Sequence, residues 1–414
     1  MILFARCPRK ILWAAVVLSF ASAVQAADDG ENHWTQRDVL SVLRWPSATE
    51  PVSNPIASGF PGDAPMVGQA AEGQLFLRDY GGWDPIGGLR LEWNVLADLQ
   101  ASSTGLGPTD EPAGRSALGE RRFQAESGAY ADIVADQLNV RWQGDVLNAV
   151  LGRQCVNFGQ NYYFSPLDLF LPFQPEDPYR DFRQGVDALR LTVATGRYSF
   201  VEGVACAGYA PKTEGSNPSQ DPFEMEGPTG RGAALARAQM GGESWALTAL
   251  CGRYATDEVA GVSAQWECVG SSWTGEILAG QCLASLTDTA TDREAATLGW
   301  TRQWSKIAGS HAEFFVQNGE GFLGAENATA SKSAALNAQF QVRPFLGLIP
   351  AILWYGDDGQ AVLALDSALS TGEAGTLHFI VNLPILIYGS GDPEVYSRTQ
   401  NQPGVVSLDY RLDY

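Results

Sequence analysis

The sequence predicts an all-β chain, a transmembrane antiparallel β-barrel of about sixteen strands with a range of fourteen to eighteen. Three observations carry that prediction. A rhythm of short turn, strand, long loop and strand recurs along most of the chain. The N-terminus reads as an export leader, yet no later stretch approaches the ~18 apolar residues of a membrane helix. Aromatic residues gather near strand ends, where the two headgroup layers of a bilayer would lie.

The leader comes first. Arg6, Arg9 and Lys10 form a positive region, residues 11–23 an apolar one, and Val24-Gln25-Ala26 offers small residues for cleavage. Residues 1–26 are therefore expected to be removed on export. The formal net charge is −20, and losing three basic leader residues takes it to −23. Such a chain repels nucleic acid. It also repels anionic lipopolysaccharide unless divalent cations bridge the two. Lysine occurs only at positions 10, 212, 306 and 332, so nearly all the positive charge is arginine.

The six cysteines argue against two classes. Cys7 precedes the apolar leader, and Cys155, Cys206, Cys251, Cys268 and Cys282 stand singly inside strand-like runs without a CxxC. This pattern suits small packing residues rather than a disulfide framework or a metal site. No cofactor is expected.

Residues 27–85 precede the clear rhythm and read as a periplasmic tail or partial plug. Thr35-Gln36-Arg37-Asp38 resembles a capping box, so Val39, Leu40, Val42 and Leu43 suggest one face of a short helix ending before Pro46. The stretch 47–82 is rich in proline, glycine and alanine and has no clear period.

From residue 86 to 414 the chain reads as the barrel. Leu89, Leu91, Trp93, Val95, Ala97 and Leu99 share one face of the first run, and Arg90, Glu92, Asn94, Asp98 and Gln100 the other. In a barrel the apolar face meets lipid and the polar face a wet lumen. The sixteen runs are 86–100, 129–143, 146–158, 185–195, 198–210, 231–240, 243–254, 259–268, 273–286, 294–304, 309–318, 333–343, 347–356, 360–369, 375–388 and 404–414. Most approach the ~9–11 residues that a tilted strand needs to cross a bilayer. Short links follow every second run, and an even count puts both termini on that side, the periplasmic one.

The aromatics supply an independent register. Trp142, Trp245, Trp266, Trp273, Trp300 and Trp304 fall at short-turn ends, and Phe158, Tyr209, Tyr254, Trp354, Tyr355 and Tyr388 at long-loop ends. The last run alternates Val406, Leu408, Tyr410, Leu412 and Tyr414 with Ser407, Asp409, Arg411 and Asp413. Its terminal aromatic looks like the signal by which the barrel-assembly machinery of Gram-negative bacteria recognises its clients. Tyr414 is thus the expected contact with that partner.

One segment resembles a known family. Gly152-Arg153-Gln154, Phe158-Gly159, Ser165-Pro166-Leu167-Asp168 and Gly185-Val186-Asp187-Ala188-Leu189-Arg190 resemble a pattern in alginate-export-type porins of Gram-negative bacteria. The match spans roughly a tenth of the chain. It implies a porin-like channel of the outer membrane. The intervening loop departs from an arginine-lined alginate path, being acidic at Glu176, Asp177 and Asp181, so the substrate stays open.

In such a barrel the working residues are polar lumen side chains and any inward-folding loop. Arg90, Glu92, Asp98, Arg141, Arg153 and Arg190 are lumen candidates. Leu138, Val140 and Trp142 define the lipid face around Arg141, and Leu189, Leu191 and Val193 do so around Arg190. Arg153 shares a face with Ala149 and Leu151, but arginine against lipid costs ~2–4 kcal/mol at the midplane, so it is placed inward. His311, Glu313, Asn337, Gln339, Gln341, Arg343, His378 and Asn382 complete the set. Each charged residue also has a plain reading as half of an ion pair within the wall. The 159–184 loop is the expected constriction. Tyr162, Tyr163, Phe164, Phe170, Phe173 and Tyr179 suit burial in the lumen better than water, and Glu176, Asp177 and Asp181 would then face Arg153 and Arg190 across an eyelet.

These features favour passive diffusion of small polar solutes, with outer-membrane lipid as surroundings and a homotrimer as one assembly open to it. A plugged barrel carrying hydrophobic solutes, or a structural or adhesion barrel, is the alternative. A barrel phospholipase needs a histidine on the outer wall, and His311 and His378 are both expected inward.

Overall fold

A computed structural model describes residues 33–47, 72–102, 120–124, 129–170, 175, 185–207, 232–254, 257–282, 292–318, 332–356, 360–370, 376–386 and 404–413. The expected leader lies outside the described residues. Among them there are nineteen strands in one antiparallel sheet. The first half holds β1 (His33–Ser47), β2 (Glu72–Ile86), β3 (Leu89–Ser102), β4 (Glu120–Gln124), β5 (Ala129–Gln143), β6 (Leu147–Gln154), β7 (Val186–Gly196), β8 (Ser199–Cys206), β9 (Ala233–Gly241) and β10 (Trp245–Tyr254). The second holds β11 (Asp257–Cys268), β12 (Ser271–Cys282), β13 (Asp292–Ser305), β14 (Ala308–Asn318), β15 (Lys332–Arg343), β16 (Leu346–Tyr355), β17 (Gln360–Ser370), β18 (Thr376–Leu386) and β19 (Gly404–Asp413). No helix among the described residues is long and apolar enough to cross a membrane.

The sheet closes on itself. β1 pairs with β2 along one edge and with β19 along the other, Asp38 meeting Asp413 and Ser47 meeting Gly404. β3 pairs directly with β5, while the short β4 adds to the edge of β5 above β6. Leaving β4 aside, the ring has eighteen strands, the upper end of the expected range. Closure pairs each of the eighteen ring strands on both sides, so the described wall has no open end.

All sixteen expected runs correspond to strands. The two further strands of the ring, β1 and β2, fall within the stretch expected to be a tail or plug. Residues 39–43 belong to β1 and not to a short helix. A brief apolar run fits either period, and pairing on both sides decides for the strand. Residues 27–32 and 48–71, the rest of the expected tail or plug, lie outside the described residues.

The two faces of the wall differ as a barrel in lipid requires. Leu151, Leu247, Ile277, Leu298, Phe314, Leu336 and Phe340 are exposed on the outside, while their neighbours Thr248, Glu276, Thr297, Glu313 and Asn337 are buried inside. At the short-turn rim Trp245, Trp266, Trp273 and Trp300 occupy directly paired positions on β10, β11, β12 and β13. The rings of Trp266 and Trp273 stack at 6.3 Å and 7°. This is the expected girdle. The far rim differs. Phe158 is buried against Phe170, Tyr254 also meets Phe170, and Tyr355 meets Phe164, so these three serve the lumen side and not the lipid side. Tyr254 and Tyr355 stand at inward positions of their strands, a parity that their nearness to a strand end concealed. Tyr209 and Tyr388 lie outside the described residues.

Candidate functional site

The site is built where the chain leaves β6. Gly152 has φ near 118°, a region that side chains rarely adopt, and a Cβ there would lie 2.4 Å from the Leu138 carbonyl oxygen. Next, Arg153 is only 4 % exposed. Its Nε donates to Asp187 Oδ1 at 2.9 Å and its Nη1 to the Ala135 carbonyl at 3.0 Å. The Gln154 amide donates to the carbonyls of Ala188 (2.9 Å) and Val150 (3.2 Å). The Gly-Arg-Gln run and the Val-Asp-Ala run are thus a brace at the base of the loop.

This corrects the placement of Arg153 on the lumen surface. The register sets it opposite Leu138 and Asp187, on the face that carries Leu151 and Leu189. The objection to arginine beside lipid still holds, and the wall answers it by sealing the guanidinium against a carboxylate and a carbonyl.

Beyond the brace, residues 155–170 lie in the lumen against the inner wall. Val156, Phe158, Leu167, Leu169 and Phe170 form one core with inward residues of β7 to β12, among them Val204, Leu235, Leu250 and Leu278. Phe164 forms a second with Ala335, Leu353 and Val362 and stacks on Phe315 at 5.6 Å. The upper half of this inner wall is apolar, which is why an aromatic loop stays inside. The packed side chains remove apolar area from water at about 25 cal/mol per Å².

The segment has no sheet ladder of its own, so its amides need other acceptors. Two wall carboxylates supply them. Glu276 Oε1 accepts from the backbone N–H groups of Gln160 (2.5 Å) and Asn161 (2.8 Å), and Oε2 from the Ser165 hydroxyl (2.6 Å) and Leu167 N–H (3.3 Å). Glu313 accepts from the N–H groups of Tyr162 (2.5 Å), Tyr163 (3.0 Å) and Phe164 (2.8 Å). Tyr163 OH accepts from the Asn337 amide at 2.8 Å. Tyr162 is 55 % exposed, its ring edge-on to Tyr163 at 4.8 Å and to the inward His311 at 6.1 Å.

The other expected residues fall in several places. Arg90 pairs with Asp84 at 2.6 Å near the short-turn rim, and Arg141 with Glu92 at 3.1 Å. Asp98 meets Asp132 in the register, and its side chain lies outside those described. Arg190 and Arg237 both hold the buried Glu202, at 2.6 and 2.8 Å, the second contact lacking hydrogen-bond alignment. The Arg237 guanidinium lies 5.0 Å from the rings of Phe158 and Phe200. Arg153 and Arg190 thus have wall acids as partners, where loop acids were expected. Glu176, Asp177 and Asp181 lie outside the described residues. His311 joins Thr301 Oγ1 (2.7 Å) to Glu313 Oε1 (2.6 Å). Glu313 itself is sealed under the loop and does not line water. Gln339 and Arg343 are exposed at inward positions in the short-turn half of β15. Reasoning from sequence missed Glu202, Arg237 and Glu276. Glu276 was visible in principle, as a carboxylate on the face opposite Trp273, Gly275 and Ile277.

The architecture matches solved structures. OccAB4 from Acinetobacter baumannii superposes with a TM-score of 0.54 at 11 % identity, covering 94 % of this chain and 99 % of that one. A BenF-like porin from Pseudomonas fluorescens Pf-5 gives 0.58 at 10 % identity, covering 92 % and 98 %. OpdK from Pseudomonas aeruginosa, solved with vanillate, gives 0.52 at 8 % identity, covering 94 % and 100 %. At such identities the likeness is one of fold: the chain has the barrel of Gram-negative porins. No protein-family model matches the sequence, and a comparison with curated proteins gives no match.

Proposed function

We propose that this chain is an outer-membrane porin-like channel for passive diffusion of small polar solutes. One observation carries the reading. The loop packs on inward side chains of strands between β7 and β17, and towards the short-turn rim inward polar residues such as Thr301, Gln303, Gln339, Gln341 and Arg343 stay exposed. A closed ring with a narrowed but wet interior selects by pore size and by the charges along the path. The porin neighbours support a channel. The vanillate in the OpdK structure, a small polar solute, supports the size class.

In this reading Tyr162 and Tyr163 belong to the constriction, and Arg90, Glu92, Arg141, Gln339 and Arg343 line the wider path below it. Exposed apolar side chains on the outer wall suit lipid, and Tyr414 would present the chain to the assembly machinery. The likeness of residues 152–190 to alginate-export-type porins supports the inward loop, and the brace gives those residues a structural reason.

Swelling of liposomes that contain the folded protein tests the proposal. Entry should fall steeply as sugars lengthen from one to four units. Vesicles no more permeable to a pentose than protein-free ones would refute it.

A further inference from the structure

We infer that Glu276 and Glu313 are positioning residues that clamp the 159–167 segment to the wall, and that Gly261 and Gly299 are the seats it lies in. Together they set the pore width. The functional meaning rests on the channel reading; the clamp itself does not.

The register shows how the seat is made. Glu276 stands opposite Thr297, and Glu313 opposite Gly299, so the two carboxylates lie on β12 and β14 with β13 between them. The segment crosses these three strands. Gln160 and Asn161 sit on Glu276, the chain passes over Gly299, and residues 162–164 sit on Glu313. A Cβ at Gly299 would lie 2.4 Å from Asn161 Oδ1 and 2.3 Å from Thr274 Oγ1. One at Gly261, on β11, would lie 2.5 Å from Leu167 Cδ2. On β15, Ala335 leaves room for Phe164. From β11 to β15 the inward side chains beneath the segment thus run small, acid, small, acid, small.

The chemistry explains the choice of glutamate. Carboxylates are the acceptors that answer several convergent N–H groups at once, and charge-assisted bonds are the strong ones. Both are buried, at 1 % and 3 % exposure, so each depends on the loop's donors for satisfaction as the loop depends on it. Loss of a clamp should free the segment, and filling a seat should push it into the lumen. The two perturbations act on conductance with opposite signs, which a general loss of stability would not do.

Glu313→Gln sets an amide NH₂ against backbone N–H donors whichever way it turns. Glu276→Gln is milder, because at Oε2 the Ser165 hydroxyl can turn to accept and the NH₂ then opposes one long contact, the Leu167 N–H at 3.3 Å. Hydrogen exchange of the 156–166 peptide, measured on heat-modifiable folded barrel, should quicken about ten- to a hundredfold in Glu313→Gln and less in Glu276→Gln. Glu267→Gln, an exposed inward carboxylate on β11, should exchange like the parent. In planar bilayers Glu313→Gln should raise single-channel conductance and noise, and Gly299→Leu should lower conductance. Parent-like exchange in both folded glutamine variants would overturn the clamp. Conductance changes of the same sign in Glu313→Gln and Gly299→Leu would overturn the seat. Should the parent not conduct, the channel reading fails, while exchange still decides on the clamp. If Glu313→Gln does not fold, Glu313→Asp carries the same exchange test with a shorter reach.

Discussion

Replacing Asp187 by alanine should strike at the brace. Arg153 is 4 % exposed and its Nε lies 2.9 Å from Asp187 Oδ1. Asp187→Ala takes both carboxylate contacts, at Nε and Nη2, away from that buried guanidinium. Breaking a buried ion pair from one side costs about 3–5 kcal/mol. The Asp187 side chain is 20 % exposed, so water relieves some of this and about 2–3 kcal/mol is expected. Removing both charges, as Arg153→Met with Asp187→Ala, should recover part of the loss, because no buried charge then faces a missing partner, although the Ala135 carbonyl loses its Arg153 donor. The assay is urea titration of refolded barrel in lipid, read as the midpoint at which the heat-modifiable band disappears. The single change should lower that midpoint clearly, and the double change should bring it back toward the parent. A single variant as stable as the parent, or a double variant weaker than the single, would refute the brace.

Two further outcomes are expected. Gly152→Ala should fold poorly, by about 1–3 kcal/mol of strain at its positive φ together with the close Leu138 carbonyl, whereas Gly203→Ala, with open space around the new Cβ, should refold like the parent; refolding yield on a gel compares them. Tyr414→Glu should reduce folded barrel in the outer membrane more than Asp413→Lys does, and equal amounts of both would count against a C-terminal insertion signal.

Much of the wall was legible because a strand in lipid alternates without relief. Leu336, Phe340 and Val342 against Asn337, Gln339 and Gln341 announce both the strand and its inward face. β1 and β2 were not legible. β1 has apolar residues on both faces at 39–43, and β2 carries Gly81-Gly82 where side chains would show the period. The short β4 has too few residues to show a pattern. The inward fold of the 155–170 segment followed from its aromatics, which need an apolar wall. What they pack on did not follow, because a barrel's inner face is expected to be polar, and Leu235, Leu250, Leu278 and Leu353 break that rule under the loop. The ion pairs were hidden for another reason. Alternation tells which face a charge is on but not its partner, and Glu202 lies one strand away from each of Arg190 and Arg237.

Single-channel conductance in planar bilayers tests the central claim most directly, on the parent and on a variant whose loop is shortened between Phe164 and Asp181. Steady openings are expected for the parent and larger ones for the shortened barrel. Its wall should stay folded, since no described residue of the loop takes part in the ring of strand pairs. A parent that never opens, or a folded, shortened barrel with unchanged conductance, would contradict that claim.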